Sequence, residues 1–273
     1  MKKALLFIAI FDLCFFCEIF AQTSTYSFFY EFKFAPDSTD LDNRKEDLMV
    51  LWTNGTNSVF QSFYGFEIDN FEKKYTDNST SIGEFNPQEF MNARRSMKQP
   101  QSKVIVHKNL PLNEMVYFDQ FFFNSFRFKD QLWKVDWKIT DDIRNILDKK
   151  CVKATTSVGG RQYEAWFTEE IPIGDGPFIF HGLPGLIVEL YDVNNHYYFN
   201  LTGIEKKQID MGEIGYPKAI TTSKNKFFET KKKYFQDVRL GLGDRVNMVS
   251  PEEIASSQER YNKANNPIIL KVD

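Results

Sequence analysis

The chain has 273 residues, with 34 Lys or Arg against 37 Asp or Glu, and its net charge of −3 gives no general electrostatic reason to hold nucleic acid or an anionic membrane. A hydrophobic content of 42% excludes intrinsic disorder, and the presence of only three cysteines excludes a disulfide framework. What remains is a globular domain unusually rich in Phe, which occurs 28 times.

The N-terminus reads as an export signal. Met1-Lys2-Lys3 forms a short positive region, Ala4 to Phe20 is an apolar run broken only by Asp12 and Glu18, and polar residues begin after Ala21, where cleavage is expected. Cys14 and Cys17 fall inside this segment, so residues 22–273 form a single expected domain with Cys151 as its one cysteine and no internal disulfide. No later segment is apolar for the length a bilayer span needs, so no transmembrane segment is expected after cleavage. The expected address is the periplasm, the outer-membrane surface or the medium.

Period-two alternation dominates the chain beyond residue 24. In Tyr26 to Phe34 the even positions are all aromatic, as in a strand with one face on a core. Similar runs predict strands at 47–53, 58–66, 103–107, 115–119, 124–129, 132–139, 152–158, 161–168, 186–192 and 197–204. The connections Thr53-Asn54-Gly55-Thr56, Val158-Gly159-Gly160 and Val193-Asn194-Asn195 are hairpin signals, so the sheet is expected to be antiparallel and meandering. Helices are expected at 87–97, capped by Asn86, at 226–240, and at 251–262, capped by Ser250. Lys231-Lys232-Lys233 reads as the solvated face of the second helix, and 206–224 as a long connection. The fold class is mainly β (α+β): a curved antiparallel meander able to curl into a half-barrel, with a few short flanking helices.

Glycine and proline concentrate in residues 159–185, which hold six of the 14 Gly and three of the 10 Pro. Leu183-Pro184-Gly185-Leu186 carries a type II turn signature, with Gly185 at the position of positive φ. Ile171-Pro172 and Gly176-Pro177 force extended backbone before each proline, so a rigid irregular crossing between two strands is expected. Gly182-Leu183-Pro184-Gly185-Leu186-Ile187 spells the motif of the GLPGLI family. Trp137, Cys151, Lys153, Ala154, Trp166, Ile171, Pro172, Gly176 and Pro177 stand around it in the family's order. The chain resembles that family over roughly residues 24–270. The resemblance implies an exported bacterial protein of unestablished role and supplies no catalytic residues.

Chemistry is sparse elsewhere. There is no Gly-x-Ser-x-Gly elbow and no phosphate loop, and Cys151 reads as a small buried hydrophobe. His181, Glu189, Asp192 and His196 are weak metal candidates, with Glu189 and His196 able to face each other across a hairpin, but their spacing matches no metal motif. No catalytic residue and no cofactor are expected. The sequence points to a non-enzymatic binding or assembly protein of the cell envelope, its partner an envelope protein or an apolar ligand held by the aromatic sheet. The alternative is a metal-assisted hydrolase using the hairpin around His181 and His196.

Overall fold

The structure, a computed structural model, describes residues 24–82 and 86–269, without the side chains of 76–82. The expected export segment, residues 1–21, lies outside the described residues. Twelve strands form one sheet among the described residues. They are β1 (Tyr26–Phe34), β2 (Lys45–Thr53), β3 (Asn57–Ser62), β4 (Ile105–Asn109), β5 (Glu114–Phe121), β6 (Asn124–Gln131), β7 (Lys138–Ile146), β8 (Lys149–Val158), β9 (Arg161–Thr168), β10 (Leu186–Asp192), β11 (Tyr197–Glu205) and β12 (Ile220–Thr221). Five α-helices accompany them among the described residues, α1 (Phe63–Ile82), α2 (Pro87–Ser96), α3 (Lys224–Gln236), α4 (Val238–Leu242) and α5 (Pro251–Lys263), with a 3-10 turn at Gly243–Met248.

The spatial order is β12-β6-β5-β4-β3-β2-β1-β11-β10-β9-β8-β7. Two meanders thus run outward from a central seam where β1 pairs antiparallel with β11. The expected antiparallel pattern holds except at one edge, where β12 lies parallel to β6 and makes the sheet mixed. The expected long connection at 206–224 contains that short strand.

Connectivity forces the sheet to curve. β6 and β7 are ten strand positions apart, about 48 Å across a flat sheet, yet only residues 132–137 join them, a reach of about 25 Å at most. The sheet therefore curls until its two margins approach, without closing, and the strand expected at 132–139 is bridge as far as Trp137 and becomes strand only at Lys138. Leu132 N–H donates to Asn113 O at 3.0 Å, Thr156 Oγ1 to Asp136 O at 2.9 Å, and Trp137 Nε1 to His181 O at 2.8 Å, so both margins hold the bridge.

Each face has its own core. Phe28, Tyr30 and Phe32 of β1 point into the larger one with Met49, Leu51, Phe60, Tyr117, Phe167 and Phe199. Phe29, one residue out of phase, packs on the other side with Val50, Trp52, Val59, Ile105, Phe118 and Met211. Helix α1 covers this second face through Phe63 and Phe66. The strand expected to continue to Phe66 ends at Ser62, whose Oγ accepts from Gly65 N at 3.3 Å and opens the helix.

Helices α2 and α5 begin where their caps predict: Asn86 accepts from Gln88 N and Glu89 N, and Ser250 forms a capping box with Glu253. The single helix expected at 226–240 is two, because Asp237 leaves helical geometry and caps α4 through Arg239 N.

Candidate functional site

The segment joining β9 to β10, residues 169–185, crosses the concave side of the sheet. Phe178 packs edge-on against Tyr117 of β5, and Phe180 packs against Tyr163 of β9, their ring centroids 6.1 and 4.7 Å apart. Two side chains only two residues apart in sequence thus reach strands seven positions apart in the sheet, which places the segment inside the curve. Phe178, Ile179, Phe180 and Leu183 are all buried there. The interior that an aromatic sheet leaves open to an apolar ligand is filled by the chain itself.

Glycine makes this crossing fit. A Cβ on Gly174 would stand 2.8 Å from Leu183 O, and one on Gly176 would stand 2.7 Å from Ile187 Cδ1. On Gly185 it would meet Thr168 O at 2.0 Å. The expected type II turn is not formed: Gly185 is not among the residues of positive φ, whereas Gly182 is, at +91°. Gly185 is there for close approach to the end of β9, and Gly182 for the left-handed turn.

At the centre lies an ion pair that no sequence motif announced. Lys108 Nζ of β4 is 2.5 Å from Asp175 Oδ1, and both side chains are fully buried. Lys108 Nζ also donates to Gly176 O at 2.7 Å and Phe180 O at 3.3 Å, while Asp175 Oδ1 accepts from Gly176 N at 2.8 Å. Burial pulls the Lys108 ammonium below its ordinary range, and the Asp175 charge opposes that pull. The remaining oxygen, Asp175 Oδ2, is buried without a partner. Around the pair, Tyr30 Oη donates to Ile187 O at 2.8 Å and Ile187 N to Asp175 O at 3.0 Å, which joins β1, β4 and the crossing in one network. The only sequence signal was an Asp enclosed by two glycines, since Lys108 stands on a strand that also carries His107 and Asn109.

The supporting motif residues gather around this crossing or on the strands leading to it. Ile171 O accepts from Leu186 N at 3.0 Å, and Trp137 ties the bridge to His181. Pro172 and Pro184 are exposed, while Pro177 is buried. Cys151 is fully buried, and burial pushes its thiol up. Ala154 is buried in the same core, Trp166 lies under the Arg144 guanidinium at 4.3 Å, and Lys153 pairs with Glu164 at 2.9 Å.

The four weak metal candidates divide among three settings. His181 sits by the bridge, its Nε2 3.3 Å from Trp133 O, and burial together with Lys108 lowers its pKa. Glu189 pairs with Arg144 at 2.7 Å and stands opposite Asn200 rather than His196. Asp192 and His196 do come together, Oδ2 to Nδ1 at 3.7 Å, but the Arg161 guanidinium lies 3.2 Å from the first and 3.1 Å from the second. A cation already stands where a metal ion would have to bind. Among the described residues no three His, Cys, Asp or Glu side chains gather in metal-binding geometry.

The Arg161 cluster has another product. Its guanidinium donates to Pro267 O at 2.8 Å and to Asn266 Oδ1, while Tyr163 Oη donates to Ile268 O at 3.1 Å and Tyr197 Oη to Asn266 O. Asn266 Nδ2 donates onward to Ala35 O at 2.7 Å. The segment 266–268 is thereby strapped across the ends of β1 and β9.

Comparison with known proteins bears on this same region. Residues 160–189, which span β9, the crossing and the start of β10, match a family described as a protein of unknown function (Porph_ging). No curated protein matches the chain. Among solved structures, it is similar to PNGF-II in two crystal forms, C2 and P21, with a TM-score of 0.51 in each. The identities are 19% and 17%, and 76% of this chain is covered against 32% of that one. The chain therefore spans about a third of the protein it matches, and the likeness is one of fold.

Proposed function

We propose that this chain is an exported protein of the GLPGLI type that serves the cell envelope by binding or assembly, presenting the outside of a rigid curved sheet to a protein partner. The observation that carries this reading is the filled concave side. The glycines, the buried ion pair and the aromatic side chains of the crossing are all directed at the protein's own strands. An apolar ligand on that face would compete for the space of Phe178, Ile179, Phe180 and Leu183, which favours a protein partner over a carried lipid. The apolar run at 4–20 with its following small residue, Ala21, supports export.

The test is expression with a C-terminal tag, cell fractionation and mass determination of the N-terminus, followed by cross-linking in the intact envelope. The expected product begins at Gln22, lies outside the cytoplasm and forms a discrete adduct with one protein. A cytoplasmic chain retaining Met1 refutes the export reading. Turnover of model esters or phosphates by the purified chain, lost in both His181→Ala and His196→Ala, refutes the non-enzymatic one.

A further inference from the structure

The Lys108–Asp175 pair is sealed from solvent, with both side chains 0% exposed. Asp175 is the one charged group among the described residues that holds the Lys108 ammonium against burial. Two ions in such a place lose their hydration, and their attraction repays only part of that loss. When the ammonium passes a proton to the neighbouring carboxylate, what remains is an uncharged amine in an apolar setting, the nucleophilic form of lysine. With Nζ 2.5 Å from Oδ1, the Asp175 carboxyl carbon lies within about 3.8 Å of that nitrogen, close to the separation from which a bond forms.

The surrounding groups match an amide better than they match two ions. An amide between the two side chains has one N–H and one carbonyl oxygen. Gly176 O, 2.7 Å from Nζ, is placed to accept from the first, and Gly176 N, 2.8 Å from Oδ1, donates to the second. The same Gly176 N–H supports the negative charge that gathers on Oδ1 while the carbon is tetrahedral. The atom an amide does not keep is Oδ2, the buried oxygen without a partner.

We propose that Lys108 and Asp175 condense in the folded chain to an intramolecular isopeptide bond, a covalent staple between β4 and the crossing. Nζ attacks the carboxyl carbon, the Nζ–Cγ bond forms and the Cγ–Oδ2 bond breaks. Oδ2 leaves as water with two of the three ammonium protons, and the third stays on the amide nitrogen. The two charges of the pair cancel, nothing is oxidised or reduced, and no co-reactant is consumed. Burial then keeps water from the bond and protects it from hydrolysis. Cys151 is the one cysteine among the described residues, so no disulfide among them can cross-link this chain, whereas the staple closes residues 108–175 into a loop.

The experiment digests the purified full chain with trypsin and reads the peptide masses. The expected product is residues 104–127 joined to residues 162–206, about 18 Da lighter than the two peptides together, with no cleavage after Lys108. Fragmentation should place the link at Lys108 and Asp175. In Lys108→Met and in Asp175→Ala both segments should appear as separate linear peptides. Complete cleavage after Lys108 in the folded wild-type chain, with no joined peptide, overturns the proposal, and so does a link placed at other residues or persisting in either variant. The wild-type digest alone decides between bond and ion pair, so a variant that fails to fold leaves the test intact.

Discussion

A methyl group on Gly185 would press into the Thr168 carbonyl at 2.0 Å, whereas one on Gly182 would meet nothing within 4 Å and suffer only from the positive φ. Gly185→Ala is therefore expected to destabilise by about 3 kcal/mol or more, and Gly182→Ala by about 1 kcal/mol, in urea denaturation. The reverse ranking would restore the type II turn as the reason for the motif's second glycine. The buried pair makes a second expectation at this scale. Lys108→Met leaves Asp175 charged and alone, at a cost of about 3–5 kcal/mol, while adding Asp175→Leu should recover much of the loss. A double variant as unstable as the sum of the singles would show the two charges acting independently. His107 gives a third. Burial lowers it from 6.5 to about 4, and its Nε2 lies 2.8 Å from Ile214 O, where the neutral ring donates. The folded state keeps the ring neutral where the unfolded chain takes a proton, so its stabilising effect is complete above about pH 6.5. It is lost progressively as pH falls toward about 4, by up to about 3 kcal/mol. His107→Gln should flatten that part of the stability-against-pH curve, and an unchanged slope would place the acid sensitivity elsewhere.

At the scale of elements, what the sequence revealed depended on whether a turn carried its usual residues. The hairpin of β8 and β9 was legible because Gly159 and Gly160, with φ of 59° and 81°, are the residue type such turns favour. The hairpin of β7 and β8 was not. Its two-residue turn is Leu147-Asp148, with φ of 50° and 58°, and β7 is exposed along most of its length, so neither turn chemistry nor alternation marked it. Helix α1 was hidden differently: Phe63, Tyr64 and Phe66 extend the aromatic run of β3, and the capping role of Ser62 rests on a local bond that alternation does not reveal. Replacing Leu147-Asp148 with Asn-Gly supplies residues that tolerate positive φ and should raise stability by about 1 kcal/mol without altering the fold. An unchanged or lower thermal midpoint would show that the turn's backbone is held by something other than its own two residues.

Over the whole molecule, long-range closure was the least legible property, because it arises from residues far apart in the chain. The composition announced an aromatic sheet, and the Gly- and Pro-rich segment announced a rigid crossing. Neither indicated that the crossing would fill the curve, since that depends on Lys108 meeting Asp175 and on a bridge too short for a flat sheet. The same is true of the strap at 266–268, where Arg161, Tyr163 and Tyr197 from the sheet and Ala35 after β1 converge on a segment with no pattern of its own. Asn266 makes several of the strap's bonds: its side chain takes the Arg161 guanidinium and gives to Ala35 O, its carbonyl takes Tyr197 Oη, and its backbone N–H donates to Pro36 O at 3.0 Å. Asn266→Ala removes the side-chain partners of a buried cation and a carbonyl, and the expected loss is about 2–3 kcal/mol. If the strap belongs to the cooperative fold, the variant should lower the global unfolding midpoint and speed amide exchange at Ala35 and Tyr197 together. Faster exchange confined to residues 264–269, with the midpoint unmoved, would make the strap a local appendage and leave the curvature to the bridge and the crossing alone.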